Sequence, residues 1–173
     1  MYRIYQQMKG LSKIHFGIED KNILLFCERL IDGPDNELTI FITMSTKIKP
    51  STTSLEYEPD EQLRNILLNT MKLVPDYTQV YKIHFDNYII YQNINESYAS
   101  YDPTEIRLGN GLILFSKSKF LDNLNEATIA FDDGKDVYPD KFQHYGIYTL
   151  NHIIDVISHI EPNIEKVKIE DIK

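Results

Sequence analysis

The residues with chemistry in them are few and scattered. There are five histidines, His15, His84, His144, His152 and His159. The last three fall close together in sequence and lie around Asp155. A histidine beside a carboxylate is the material of general acid–base catalysis or of metal binding. No two of them have the spacing of an HExxH helix or of a zinc finger, so no metal site is expected. Cys27, the single cysteine, sits inside the apolar run NILLFCERL. A nucleophilic cysteine needs an exposed, electropositive setting, so the expectation for Cys27 is buried packing. The sequence has no phosphate-cradling glycine loop, no G-x-S-x-G and no dinucleotide fingerprint. The expectation is a protein that is not an enzyme and carries no cofactor.

Two carboxylates stand apart from the solvated majority. Glu96 lies in the cluster Asn93-Ile94-Asn95-Glu96-Ser97-Tyr98, and Asp155 interrupts the apolar stretch from Ile153 to Ile157. A buried carboxylate must be paired or hydrogen-bonded. The expected arrangement is therefore a structural polar network of Asn95, Glu96, Tyr98, His152 and Asp155. In it, Asn95, Glu96 and Tyr98 sit at a strand end and bond to the Asn151 to Asp155 segment. The competing chemistry is a cleft in which Glu96, His144, His152 and Asp155 serve a small hydrolase or a ligand-binding protein.

These residues need elements to hold them. Tyr81, Ile83 and Phe85 before Asp86-Asn87, and Tyr88 to Tyr91 after it, are aromatic or β-branched and suit a half-buried pleated surface. Asp and Asn accept a tight turn, so residues 80–91 read as a central hairpin. Gly33-Pro34-Asp35-Asn36 marks a turn between residues 22–30 and 38–45, which gives a second hairpin. Pro59-Asp60-Glu61 opens a helix with acidic residues at its start. Leu63, Ile66, Leu67, Thr70, Met71 and Val74 recur every three or four residues and give one apolar face. The spacing predicts a helix stopped by Pro75 that covers one face of a sheet.

Further along, Gly109-Asn110-Gly111 predicts a turn before the short strand Leu112 to Phe115. Ser116 or Ser118 caps a short helix over residues 119–125, with Phe120, Leu121 and Leu124 inward. Residues 145–150 return to strand character. Residues 151–160 carry helical spacing, but their density of β-branched residues favours a strand. The order of elements lacks regular βαβ alternation. The fold class expected is α+β, with a largely antiparallel sheet built from hairpins and about two helices packed on it, in a single globular domain spanning 1–173.

The chain is 42% hydrophobic and 25% charged, with 12 Tyr, 8 Phe and no Trp, a globular composition. No apolar run approaches the ~20 residues of a membrane span. The first sixteen residues lack the apolar core and cleavage site of a secretory signal. With one cysteine there is no internal disulfide, and a cytoplasmic setting is expected. The formal net charge is −8, and residues 81–173 carry 15 acidic against 9 basic groups. Such a balance argues against direct nucleic-acid binding, which calls for a basic stripe. It serves solubility, and it can also steer a basic protein partner.

One more feature comes from resemblance. Asp86-Asn87-Tyr88-Ile89-Ile90-Tyr91-Gln92 with Asn95-Glu96-Ser97-Tyr98, then Ser116-Lys117-Ser118-Lys119-Phe120-Leu121-Asp122, His144-Tyr145-Gly146-Ile147 and Asn151-His152-Ile153-Ile154-Asp155-Val156 cover roughly the C-terminal half. Together they resemble a family of small bacterial proteins that includes immunity proteins of contact-dependent growth inhibition and other polymorphic toxin systems. The resemblance implies a cytoplasmic inhibitor that binds the C-terminal domain of a cognate toxin, often a nuclease, and blocks its active site or its access to substrate. It brings no catalytic residues. For such a partner the expected contact is the acidic loop of Asp132, Asp133, Asp136 and Asp140, with Tyr138 as an aromatic anchor.

Overall fold

The computed structural model describes residues 24–49, 59–109, 111–130 and 142–172. The class is α+β, with two antiparallel sheets stacked as a sandwich and short helices added. The first sheet is ordered β1 (Leu25–Asp32), β2 (Leu38–Ile48), β3 (Lys72–Phe85) and β9 (Asn163–Val167). The second is ordered β4 (Ile90–Asn95), β8 (His152–Ser158), β7 (Gln143–Tyr148), β6 (Leu112–Lys117) and β5 (Ile106–Leu108). The β1–β2 hairpin follows the expectation, and Asn36 supplies the left-handed turn residue with φ 60°. The strand expected over 151–160 is β8.

Period-two alternation builds the core. Leu38, Ile40, Ile42 and Met44 of β2, Ile83 and Phe85 of β3, Tyr145 and Ile147 of β7, and Ile154 and Val156 of β8 all belong to one buried cluster shared by both sheets. Phe85 and Tyr145 meet across the gap edge to face, with centroids 5.5 Å apart. Burying an aliphatic or aromatic side chain of this size contributes about 1.5–3 kcal/mol. Cys27 packs in the same cluster, and burial pushes its thiol up to about 11.

Two expectations about local structure do not hold. Residues 80–91 are not a hairpin: β3 pairs with β2 and β9 in one sheet, while β4 crosses to the other and pairs with β8. Both sides of the Val80–Phe85 stretch are already occupied by neighbours, so the chain at Asp86 has to leave the sheet. Tyr88 N–H bonds to the Asn36 carbonyl at 3.0 Å during the crossing.

The helix opened by Asp60 is also shorter than its periodicity suggested. In α1 (Glu61–Asn69), Asp60 Oδ1 accepts from the amides of Gln62 and Leu63. The chain turns extended at Thr70, and residues 72–76 pair with β2. Pro75 sits in β3 opposite Ser45, at a level β9 does not reach, so its missing donor leaves no gap in the ladder. None of the α1 residues is buried, and Ile66 is 63% exposed.

The sheets are also joined by side chains at their β1 margin. Asn151, in the β7–β8 turn, accepts from Cys27 N–H at 2.9 Å and donates to Cys27 C=O at 2.8 Å, acting as a one-residue strand on the edge of β1 away from β2. Leu150 N–H adds a bond to the Leu25 carbonyl at 2.7 Å. At the other end of β1, Asp32 accepts from the hydroxyls of Tyr88 and Tyr91. That bond is the main reason the Tyr88 phenol is pushed up to about 12. Replacing Asn151 with Ala strands both polar groups of a partly buried residue, and the expected loss is about 2 kcal/mol in urea unfolding with an unchanged m-value. A midpoint identical to that of the parent protein would show that water substitutes for the amide.

Candidate functional site

The outer face of the second sheet carries the polar residues with the most chemistry. Asp155 faces it from β8, between Ile153 and Ile157, and is 5% exposed. Gln92 lies directly opposite on β4 and donates Nε2–H to Asp155 Oδ2 at 2.8 Å. Across β7, Asp155 pairs with Gly146, and His144 reaches it on the diagonal, with Nε2 at 3.0 Å from Oδ1. A Cβ at Gly146 would come within 2.9 Å of the rings of Phe115 and Tyr148, so glycine lets these rings close over the strand. Phe115 stacks on His144 at 3.9 Å between centroids, and Phe120 meets its edge at 5.3 Å.

The chain of contacts ends at Ser118, whose Oγ is 2.7 Å from His144 Nδ1. Ser118 follows β6 and caps α2 (Lys119–Asp122), accepting from Leu121 N–H at 3.0 Å. Leu124, at the start of α3 (Leu124–Ala127), is buried as well. The line Gln92, Asp155, His144, Ser118 thus crosses the sheet from β4 to the helical cover. With the Ser118 hydroxyl proton directed at His144 Nδ1, the ring proton lies on Nε2 and is donated to Asp155; with both ring nitrogens protonated, the second Ser118 lone pair accepts from Nδ1 instead.

Serine, histidine and aspartate in sequence have the composition of a nucleophilic triad, but here the serine is 1% and the histidine 2% exposed. A nucleophile must meet its substrate. This arrangement instead fastens the helical cover to the sheet. Beside it, the Arg107 guanidinium lies 4.5 Å from the Tyr101 ring centroid, with Phe115 and Tyr148 each at 5.4 Å. Glu105 pairs with it at 2.9 Å. Burial pushes the Tyr148 phenol up to about 12.

The residues singled out from sequence are placed as follows. Asn95 ends β4 opposite His152, and Glu96 N–H reaches the Asn151 carbonyl at 3.5 Å. The Asn95 side chain turns forward to accept from Ser97 N–H. The Glu96 side chain is exposed and Tyr98 is 83% exposed. His152 is an odd number of residues from Asp155 on one strand, so the two point to opposite faces. His144 and Asp155 meet, whereas Glu96 and His152 do not join them in a cleft. The sequence marks Ser118 as a cap and as part of a longer motif, but not as a partner of His144, and it gives Gln92 and Arg107 no site role. Their partners follow from strand register, which no local pattern displays. Asp132, Asp133, Asp136, Tyr138 and Asp140 lie outside the described residues. No group of three or more His, Cys, Asp or Glu able to hold a metal ion occurs among the described residues, and no described helix is long and apolar enough to cross a membrane.

A second feature is a pole of negative charge. At one end of the sandwich the β1–β2 turn, the β3–β4 crossing and the β8–β9 loop come together, tied by the Tyr88 to Asn36 bond and by Ser158 Oγ–H donating to the Asn87 carbonyl at 2.7 Å. They carry Asp35, Glu37, Asp86 and Glu161, Asp32 ends β1 beside them, and no Lys or Arg occurs in residues 32–38, 84–91 or 158–163. All but Glu37 are exposed. After the acidic stretch of residues 131–141, the described chain resumes at Phe142, next to Gln143, which pairs with Ser158 at this same end.

No family model, no curated protein and no solved structure matches the chain.

The donor–acceptor pattern around His144 makes a direct prediction. Nitrogen-15 NMR is expected to show a proton on His144 Nε2, held in the hydrogen bond to Asp155. A His144 Nε2 without a proton would contradict the donation to Asp155.

Proposed function

We propose that this chain is an immunity protein that binds and neutralises the C-terminal domain of a cognate toxin, a basic nuclease of a contact-dependent growth inhibition system. The observation that carries the reading is the acidic pole: Asp35, Glu37, Asp86 and Glu161 on three adjoining loops and Asp32 at the end of β1, with no Lys or Arg in residues 32–38, 84–91 or 158–163 to offset them. A nuclease that grips a phosphate backbone needs Lys and Arg, and a concentrated negative field attracts that surface while repelling nucleic acid. The stretch containing Asp132, Asp133, Asp136, Tyr138 and Asp140 precedes β7 in the sequence and has a net charge of the same sign. The cytoplasmic setting belongs to this proposal, since the toxin's substrate would be there. In this reading the buried Ser118, His144 and Asp155 hold the scaffold that presents the pole.

The test is association kinetics with a basic nuclease toxin domain, taken from any toxin gene that adjoins this protein's own. Against that domain, the triple variant Asp35→Asn, Asp86→Asn, Glu161→Gln is expected to associate about tenfold more slowly at low salt, with dissociation within about twofold. The difference should shrink as salt shortens the screening length to about 8 Å or less. Asp132→Asn, Asp133→Asn and Asp136→Asn form a parallel arm. Rates independent of salt and unchanged in both triple variants would move the contact elsewhere. If the adjacent toxin domain does not bind at all, the immunity reading is lost.

A further inference from the structure

We draw no further inference here: the strongest candidate, the exposed apolar face of α1 around Leu63 and Ile66 with Met71 just beyond it, carries nothing because the structure does not show what covers it.

Discussion

A carboxylate taken out of water must be held by donors, and Asp155 is the place where this protein meets that demand. The second sheet is covered on both faces: Ile154 and Val156 point into the sandwich, and Ile153, Asp155 and Ile157 are buried on the other side. An unpaired charge there would cost several kcal/mol. Gln92 and His144 supply the donors, and His144 in turn is oriented by Ser118. Three further features depend on that solution. Gly146 leaves the strand bare where Phe115 and Tyr148 close over it, Phe115 stacks on the imidazole, and the cap at Ser118 sets where the helical cover begins. The polar chain is therefore an organising part of the fold, placing β4, β7, β8 and the cover in one arrangement.

Much of the architecture is legible in residue order because strands announce themselves by alternation and side-chain branching. Leu38 to Met44 is a β-branched and aromatic run, and its hairpin partner precedes it across a turn with a left-handed residue at Asn36. Residues 152–158 satisfy helical and strand patterns at once, and branching at Cβ decides for the strand. Pairing is the part that local pattern does not carry. Asp86-Asn87 has the composition of a hairpin turn, yet β3 has β2 on one side and β9 on the other, and β9 comes 78 residues after the turn begins to be written in the sequence at Phe85, with Asn163 opposite His84. Likewise the three-and-four spacing beyond Asn69 is real, but helical preference is weak at Thr70 and Val74 and the ladder of residues 72–76 with β2 outweighs it.

The same limit governs the site. Asp155 is marked by its apolar flanks as a residue that needs partners. Their identity is a matter of register. Gln92 faces it because Ile90 pairs with Ile157, and His144 reaches it because Gly146 occupies the position between. His152, three residues away in sequence, is directed to the opposite face by the pleat. Proximity in sequence thus suggested one network where the strand geometry makes two environments. The acidic pole is invisible for a related reason: Asp32, Asp35, Asp86 and Glu161 are spread over 130 residues of chain, and only the folding of three loops to one end gathers them.

The central claim about the scaffold is that His144 and Asp155 act as one hydrogen-bonded unit in a water-excluded layer. A double-mutant cycle in urea unfolding, with His144→Phe, Asp155→Leu and the pair, isolates that unit from the packing each side chain also contributes. Groups in direct contact within one network typically show couplings of about 0.5–3 kcal/mol. The expected coupling is above about 1 kcal/mol, with the double variant less destabilised than the sum of the two singles. Additivity within about 0.3 kcal/mol would mean that the two residues sit side by side without depending on one another, and the account would fail at its base.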